Sequence, residues 1–288
     1  MTTASPASAV GTSDQRKVVI TAERKGANVQ NPTDQTLELR RRVAVANRVL
    51  GYHYNEVGLG MLCMSRGHVS ARTSNPAEIF LKGRSLQNDS LIQTSVRDII
   101  TVDLEGRKVR GPQDVALTGE TKLHTCVLKA RPEVGAVCHA HSHNLVLCSL
   151  LGLKLKPMCN EGIDLFPVEI YPSNAMISTP EHMAGLVRTL GKNKAAILRG
   201  HGAVTVADDC ETAVLRMIQL DEQARLNYLA FAAKGPRYRG IPPSQASGLA
   251  ESIRSSVDRT GAPDAVKKNI TSQMNLWEYL AGLVGEIS

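Results

Sequence analysis

The amino-acid sequence predicts an α/β layered domain whose central sheet is largely antiparallel or mixed. Strand-like and helix-like segments follow one another without the regular strand–helix–strand alternation that gives a parallel sheet. A long segment, 211–233, repeats apolar residues at helical spacing. The chain has 288 residues, 42% of them hydrophobic, which is enough material to bury a sizeable core.

The first half of the chain predicts one helix and a series of short strands. Pro32 stands early in the first turn of the helix, and apolar residues between Leu37 and Leu50 have helical spacing. Apolar runs bounded by glycine or polar residues then predict strands. These predicted strands cover 61–64, 68–72, 79–81 and 99–103.

The second half predicts three shorter helices among strands, followed by the long helix. A helix over 120–130 ends before Pro132, because a residue that precedes proline disfavours helical backbone. A second helix covers 144–151, and a third begins at Pro180 and runs to Leu190. Strands are predicted at 134–140, 168–171, 195–198 and 203–206.

Composition divides the chain into three parts. Residues 1–30 are polar and low in aliphatic residues, which predicts a flexible N-terminal segment. Residues 31–234 carry the predicted sheet and form the main domain. A linker rich in glycine and proline follows, so that 235–288 are expected to form a helical C-terminal extension.

Charge and composition narrow the classes of partner that we expect. The net charge of +7 is spread along the chain without a long basic block, as on a solvated surface. The sharper interpretation is a positive field that attracts a small anionic substrate. Aromatic residues make up 3% of the chain, which argues against base stacking on nucleic acid. No segment is long enough to span a membrane, so no membrane partner is expected.

Cysteine usage and the N-terminal sequence predict the compartment. The six cysteines form no CxxC pair and lie mostly in apolar runs. The first residues have neither the basic start nor the apolar core of a signal peptide. We therefore expect a cytoplasmic protein with free, reduced thiols.

Two histidines separated by a single residue give the first indication of chemistry. His139 and His141 follow an apolar run that predicts a strand, and alternate side chains on a strand share a face. Both imidazoles can therefore bind the same metal ion. His143 follows after another single residue, and pairing of His141 with His143 is an alternative that the sequence leaves open.

Two further residues are candidates to complete such a site. His201 stands between two glycines in a turn that joins two apolar strands, where it has either a structural role or that of a third ligand. Glu120 stands at a predicted helix start, where a carboxylate complements the helix dipole. The functional interpretation of Glu120 is a metal ligand or a proton carrier.

The order of these motifs resembles the class II aldolase and adducin-type family. This family includes sugar-phosphate aldolases and epimerases, hydroxyaromatic-acid decarboxylases and non-catalytic adducin-like proteins. The resemblance covers about residues 36–233. Its motifs are Gly-Glu-x3-His at 119–124, Arg-Pro at 131–132, His-Ala-His at 139–141 and Leu-Arg-Gly-His-Gly at 198–202.

The resemblance implies a fold and a metal site. The fold is a three-layer α/β/α sandwich with a mostly antiparallel central sheet. The site is one divalent metal ion per subunit, bound by His139, His141, His201 and Glu120. This set of ligands suits Zn²⁺ but also Mn²⁺ or cobalt. His124, four residues after Glu120, lies on the same helical face and is expected either behind the site, in its second shell, or in the core.

Departures from the sugar-phosphate branch bear on the substrate. That branch binds phosphate with Gly-Asn-x-Ser and Ser-Ser-Glu segments, whereas this chain has Gly-His-Val-Ser at 67–70 and Thr-Gly-Glu at 118–120. The Gly-His-Val-Ser form is similar to that of family members that act on carboxylates. We expect His68 to be a catalytic residue that orients a carboxylate. The expected substrate-binding residues are Ser70, Lys82, Arg84 and Arg199.

These observations predict a metal-dependent carbon–carbon lyase. Its expected reaction is decarboxylation of a hydroxylated aromatic or heteroaromatic acid, with Glu120 as the proton carrier. An aldolase or epimerase of a small hydroxy-carbonyl or sugar-phosphate compound is the alternative. A non-catalytic adducin-like assembly protein ranks third, since all four candidate ligands are present.

The resemblance also implies a homo-oligomer, a tetramer with its sites at subunit interfaces. An aromatic residue of one subunit is then expected to reach the site of its neighbour. The candidates for this role are Tyr171, Tyr228, Trp277 and Tyr279.

Overall fold

An eight-stranded sheet organises the described part of the chain, which comprises residues 32–56, 67–85, 89–242, 244–246, 248–249, 252 and 272–285 of a computed structural model. The helices are α1 (Pro32–Glu56), α2 (Thr121–Ala130), α3 (His143–Leu150), α4 (Pro180–Leu190), α5 (Cys210–Lys234) and α6 (Ser272–Val284). The strands are β1 (Gly67–Arg72), β2 (Glu78–Lys82), β3 (Arg84–Ser85), β4 (Ile99–Asp103), β5 (Lys108–Arg110), β6 (Val115–Ala116), β7 (Ala136–Ala140), β8 (Glu169–Tyr171), β9 (Ala195–Leu198) and β10 (Gly202–Ala207). The predicted flexible segment 1–30 and the predicted strand 61–64 lie outside the described residues.

The sheet is mostly antiparallel, as predicted. Its strand order is β5-β4-β2-β1-β7-β10-β9-β8, and every neighbouring pair is antiparallel except β8 with β9, which is parallel. Strands β3 and β6 pair in a short second sheet. The α/β fold class with a large, mostly antiparallel sheet is therefore confirmed.

The sheet buries both of its faces. In β9, Ala195 and Ile197 belong to one apolar core, whereas the alternate residues Ala196 and Leu198 belong to the other. This period of two is expected when helices cover a sheet on both sides. Helices α1, α3, α5 and α6 contribute to the first core, and α2 and α4 contribute to the second. The metal-site candidates must therefore lie where the sheet ends, since its middle is covered.

Local sequence signals explain where the helices begin. Ser142, Thr179 and Asp209 precede α3, α4 and α5, and each side chain accepts a hydrogen bond from a backbone N–H of the first turn. Pro180 occupies the first turn of α4, as predicted, because proline has no N–H to leave unpaired there. Helix starts were therefore readable from the sequence to within one or two residues.

Three short strands were not predicted from the sequence. Strand β5 is polar and largely exposed, so it lacks the apolar alternation that reveals a strand. It forms because its backbone pairs with β4. Strands β3 and β6 have only two residues each and pair across 30 residues of sequence. Such pairing depends on tertiary contacts and leaves no local signal.

Helix α6 lies within the predicted C-terminal extension and packs on the main domain. Trp277 is buried in the first core together with residues of α1 and α5. The buried guanidinium of Arg48, in α1, donates to the carbonyl oxygens of Thr94 and Gly285 at 2.7 and 2.6 Å. This arginine therefore joins the end of α6 to the first core. Among the described helices, we find none that is both long and apolar enough to cross a membrane.

We expect Gly135→Ala to lower the free energy of unfolding by about 1–3 kcal/mol, since the added methyl group overpacks the chain. A Cβ atom at Gly135 would lie 1.9 Å from the carbonyl oxygen of Asp208. Gly282→Ala is the control, because its Cβ would meet nothing within 4 Å and alanine favours a helix. Urea unfolding of the two variants checks the prediction, and equal stability of Gly135→Ala and the wild type would contradict it.

Candidate metal centre

The candidate ligands meet at one end of the three central strands. Strand β7 pairs with β1 on one side and with β10 on the other. In this register His139 lies between His68 of β1 and Val204 of β10. The strand also directs His139 and His141 to the same face, as their spacing predicted. Their Nε2 atoms are 3.0 Å apart.

The orientation of His139 is held by the neighbouring strand. Its Nδ1 lies 2.8 Å from the carbonyl oxygen of Ala203, which can only accept a hydrogen bond. The proton is therefore on Nδ1, and the Nε2 lone pair faces the other candidate ligands. A backbone carbonyl that orients a metal-binding imidazole in this way is a common feature of metal sites. His139 is completely buried, so it has no other partner from solvent.

His201 reaches the same point from the turn between β9 and β10. Its backbone N–H donates to the carbonyl oxygen of Leu198 at 3.0 Å, which closes the turn. Gly200 has a φ of 66°, a conformation that favours glycine. Gly202 allows a close approach of the strands, because a Cβ there would lie 2.2 Å from the carbonyl oxygen of Ala140. The backbone geometry of the turn therefore explains why a glycine stands on each side of His201.

Glu120 supplies a carboxylate at the start of α2. Its Oε2 lies 3.2 Å from His139 Nε2 and 3.5 Å from His141 Nε2, and its Oε1 lies 2.8 Å from His201 Nε2. Burial alone would raise the pKa of Glu120. The electrostatic interaction with His139 and the closeness of all three imidazoles to its oxygens outweigh burial and hold its pKa well below the usual range. Glu120 is therefore ionised at neutral pH.

The donor set fits a divalent cation. Glu120, His139, His141 and His201 each offer one ligand atom, and these atoms all lie within 4.8 Å of one another. Glu120 Oε1 is buried and has no hydrogen bond of good geometry, although polar atoms surround it. A cation among the four groups would satisfy this oxygen. Three imidazole nitrogens and one carboxylate oxygen are ligands that Zn²⁺ and Mn²⁺ accept.

His143 takes no part in this cluster. It is the first residue of α3 and comes after Ser142, where the strand has already ended. The structure groups His141 with His139 and His201. The alternative pairing of His141 with His143 is therefore not what the described residues favour.

A cavity of about 310 Å³ opens over the cluster. Its wall includes Glu120, His141 and His201 together with Lys82, Gly83, Arg84 and Asp89. Lys82 Nζ is 3.1 Å from Asp89 Oδ1, and Arg84 Nε is 2.8 Å from Asp89 Oδ2. Two cations that share one carboxylate leave a net positive charge in this part of the cavity wall. Lys82 and Arg84, which the sequence predicts to bind an anionic substrate, thus both line the cavity.

The other predicted substrate-binding residues lie elsewhere. Ser70 is completely buried, and its hydroxyl contacts His124 Nδ1 at 2.8 Å. Arg199 is exposed and stands two residues before His201. The described residues that form the cavity wall include neither of them. Ser70 faces the protein interior because its strand buries both faces.

His68 and His124 lie next to one another, close to Glu120. His68 lines the cavity, and its Nε2 is 2.9 Å from Thr118 Oγ1 and 3.7 Å from Glu120 Oε2. Its Nδ1 is 3.1 Å from Nε2 of His124, which is completely buried. Burial, followed by repulsion from His139, lowers the pKa of His124 to about 3. Burial, followed by repulsion from His124, lowers the pKa of His68 well below its ordinary value. Both imidazoles are therefore neutral at pH 7.

Sequence reasoning missed three residues of the cavity wall. Thr118 stands next to the recognised Gly-Glu motif, so its position could have suggested it. Asp89 stands in a polar part of the sequence that carries no motif, so it gave no signal. Met176 belongs to the segment between β8 and α4, and its side chain approaches Gly119, whose Cβ would lie 2.9 Å from Met176 Cε. Only the tertiary structure brings Met176 and Asp89 to the site.

Comparison with curated proteins finds relatives with three kinds of name. The chain is 29% identical over 219 residues to a 3,4-dihydroxyphthalate decarboxylase of Arthrobacter keyseri, covering 73% of this chain and 85% of the relative. It is 28% identical over 174 residues to an L-fuculose phosphate aldolase of Methanococcus maripaludis, covering 57% of this chain and 86% of the relative. A beta-adducin of Homo sapiens is 24% identical over 180 residues, covering 61% of this chain and 24% of the relative.

Solved structures share the fold. An L-fuculose 1-phosphate aldolase of Glaciozyma antarctica PI12 has a TM-score of 0.68 at 23% identity, covering 90% of this chain and 95% of that chain. An aldolase II superfamily protein of Pseudomonas syringae has a TM-score of 0.69 at 20% identity, covering 87% of this chain and 93% of that chain.

The family model that matches the chain spans its whole candidate metal centre. It is described as the class II aldolase and adducin N-terminal domain and matches residues 53–228. This range contains the four candidate ligands as well as His68, Lys82 and His124. It also covers more than half of the chain. The protein described here is therefore a member of the class II aldolase and adducin family.

Proposed function

We propose that this protein is a metal-dependent carbon–carbon lyase that decarboxylates a hydroxylated aromatic or heteroaromatic dicarboxylic acid. The observation that carries the proposal is one cavity whose wall includes three members of the candidate ligand cluster, Glu120, His141 and His201, together with the buried ammonium of Lys82. Relatives named as decarboxylases and aldolases support a lyase. The decarboxylases among them support the carboxylic acid as substrate.

Glu120, His139, His141 and His201 would hold the metal ion, Zn²⁺ or Mn²⁺, one per subunit. When bound, the ion stabilises negative charge that develops on an oxygen of the substrate. This property suits decarboxylation of a hydroxylated ring, because electrons of the broken carbon–carbon bond pass into the ring and toward its oxygen. The four candidate ligands therefore favour a reaction that passes through an oxyanion.

Glu120 would also carry the proton. Its carboxylate lines the cavity, where it accepts the proton of the substrate hydroxyl. Glu120 passes this proton to the ring carbon that bears the leaving carboxylate, and the ring oxygen becomes a ketone. The bond between this carbon and the carboxylate then breaks, carbon dioxide leaves, and the bonding electrons pass through the ring to its oxygen. The carboxylate of Glu120 ends the cycle ionised, so no other reactant is needed.

Lys82 and Arg84 would bind the second carboxylate of the substrate. Lys82 is 4% exposed, so its ammonium interacts strongly with an anion in the cavity. His68, which lines the same cavity, would orient the carboxylate that leaves. Met176 is the one wholly hydrocarbon-and-sulfur side chain among the described residues of the cavity wall, and a thioether makes favourable contacts with an aromatic ring.

An aldolase or epimerase is the second candidate function. The similarity to an L-fuculose phosphate aldolase favours it, because an aldol cleavage also develops negative charge next to the metal. The same cationic pair, Lys82 and Arg84, would then bind a phosphate. The aldehyde product, formed without carbon dioxide, distinguishes this reaction from decarboxylation.

The proposal includes a homotetramer with sites between subunits. Among the aromatic residues considered for a neighbour's site, Tyr171 and Trp277 are 7% exposed and Tyr228 packs against the first core. Tyr279, on α6, is 63% exposed. Tyr279 is therefore the aromatic side chain of this group that a second subunit could meet.

We expect the purified wild type to retain one Zn²⁺ or Mn²⁺ per chain after dialysis and His201→Ala to lose it, because one ligand of four is removed. The control is His182→Ala, which lies outside the ligand cluster and contacts Tyr171. Elemental analysis of the dialysed proteins measures the metal. A chelator should also stop carbon dioxide release, and renewed metal should restore it. Equal metal content in both variants would contradict the ligand set.

We expect Glu120→Gln to lower the rate of carbon dioxide release by about 100- to 10,000-fold, the range for loss of a general acid–base group. Hydroxylated aromatic mono- and dicarboxylates are the substrates to test. Metal content is measured in parallel, so that loss of the proton carrier is separated from loss of the ion. Glu181→Gln, in the exposed first turn of α4, is the control. Unchanged turnover would remove the assigned role of Glu120.

We expect Lys82→Met to raise KM for a dicarboxylate by about 10- to 100-fold with a smaller change in kcat, because a charge-assisted hydrogen bond to the substrate is lost. Lys129→Met is the matched control, since Lys129 is exposed and pairs with Glu105. Steady-state kinetics with a dicarboxylate and with its monocarboxylate analogue check the prediction. If the variant loses affinity equally for both, Lys82 does not bind the second carboxylate.

A further inference from the structure

A chain of hydrogen bonds leads from the sheet interior to the cavity. It starts at Ser70 Oγ, which is 2.8 Å from His124 Nδ1. His124 Nε2 is 3.1 Å from His68 Nδ1, and His68 Nε2 is 2.9 Å from Thr118 Oγ1. Ser70 and His124 are completely buried, whereas His68 and Thr118 line the cavity. This series of hydrogen bonds therefore has one fully buried end, at Ser70, and one end at the cavity, at Thr118.

We propose that Ser70 and His124 are positioning residues that hold His68 in the tautomer with its proton on Nε2, facing the cavity as a hydrogen-bond donor. This inference rests on the proposed function, in which His68 contacts the substrate. It goes beyond that function by assigning the protonated nitrogen of His68 and the residues that determine it.

The buried end, Ser70, determines which atom donates in each of these hydrogen bonds. Among the described residues, His124 Nδ1 is the one hydrogen-bond partner of Ser70 Oγ. If Ser70 donates, His124 Nδ1 accepts, so the proton of a neutral His124 is on Nε2. His124 Nε2 then donates to His68 Nδ1, which leaves the proton of His68 on its own Nε2. With this arrangement of protons, every buried donor in the series of hydrogen bonds has an acceptor.

The opposite direction leaves a buried proton without an acceptor. If His124 Nδ1 donates to Ser70, the hydroxyl proton of Ser70 has no partner, and Ser70 has no contact with water. An unpaired buried donor disfavours this arrangement by a factor of roughly ten in the tautomer ratio. In the proposed direction the one proton without a protein acceptor belongs to Thr118, which can reach the cavity.

The surroundings of His68 Nε2 favour the same tautomer. Glu120 Oε2 lies 3.7 Å from this nitrogen, and an N–H directed toward an ionised carboxylate is more favourable than a lone pair. Thr118 Oγ1 already accepts from the backbone N–H of Glu120 at 3.3 Å and has a second lone pair for His68. A neutral donor at this point can hold a carboxylate or a developing oxyanion, and it cannot remove a proton from the substrate.

The direct test is the tautomer of the two histidines in the full-length protein loaded with Zn²⁺. Long-range ¹H–¹⁵N correlation spectra of protein labelled with ¹⁵N-histidine distinguish a protonated from an unprotonated ring nitrogen. His68→Gln and His124→Gln variants assign the signals. We expect both residues to carry their proton on Nε2. A proton on Nδ1 of either residue, or a doubly protonated ring, would overturn the proposal. This readout needs no substrate, so it stands even if the protein is not a decarboxylase.

Ser70→Ala tests whether the Ser70 hydroxyl determines the tautomers of His124 and His68. Without the hydroxyl donor, we expect His124 and His68 to populate a second tautomer in the same spectra. Thr205→Val is the matched control, since it removes another buried hydroxyl, one that donates to the carbonyl oxygen of Ala213. Spectra of Ser70→Ala identical to the wild type would remove Ser70 from the proposal.

A double-mutant cycle tests whether His124 acts through His68. We expect His124→Phe to lower kcat by roughly tenfold with KM and metal content unchanged, as for other residues that orient a ligand. In a His68→Phe background the same change should have no further effect. Multiplicative losses in the double variant would show that His124 acts independently of His68 and would overturn its positioning role. If the wild type releases no carbon dioxide, the proposed function fails, and the spectra decide the tautomer separately.

Discussion

The pairing of β7 with its two neighbours is the interaction on which the rest of the site depends. His139 is held between β1 and β10, and the carbonyl oxygen of Ala203 orients its ring. A slip of one residue in this register would turn His139 and His141 to the opposite face of the sheet. The apolar residues of β7 prevent that slip, because they fill both cores. The packing of the sheet and the geometry of the ligands are therefore set by the same contacts.

The site places charge where water is scarce. Glu120 is ionised although it is mostly buried, which is unfavourable unless positive or hydrogen-bonding groups surround it. Three imidazoles do this on one side, and a bound cation would complete it. Lys82, in the wall of the same cavity, meets this constraint by sharing Asp89 with Arg84. An anion that enters between these groups replaces water with fixed charges of the protein, which strengthens its electrostatic interactions.

Two further histidines, His68 and His124, are also largely removed from water, but they carry no charge there. His68 and His124 remain neutral and satisfy their nitrogens through one another, Ser70 and Thr118. A neutral donor has no charge to desolvate, so it can be placed deeper than an ammonium group. In the proposed reaction the charged groups of the cavity would bind the substrate and move the proton, while His68 and His124 would orient the substrate. This division follows from how much each kind of group loses when water is removed.

The sequence by itself determined the features that depend on local spacing. Alternation placed His139 and His141 on one face, Pro32 and Pro180 began helices, and Glu120 stood at a helix start. Tertiary structure decided everything that depends on distant segments. It turned Ser70 toward His124, 54 residues away, left Arg199 exposed, and formed the polar strand β5 by pairing it with β4. A periodic pattern shows which face a side chain takes, but the neighbour it meets there depends on strand order and register, which local sequence does not encode.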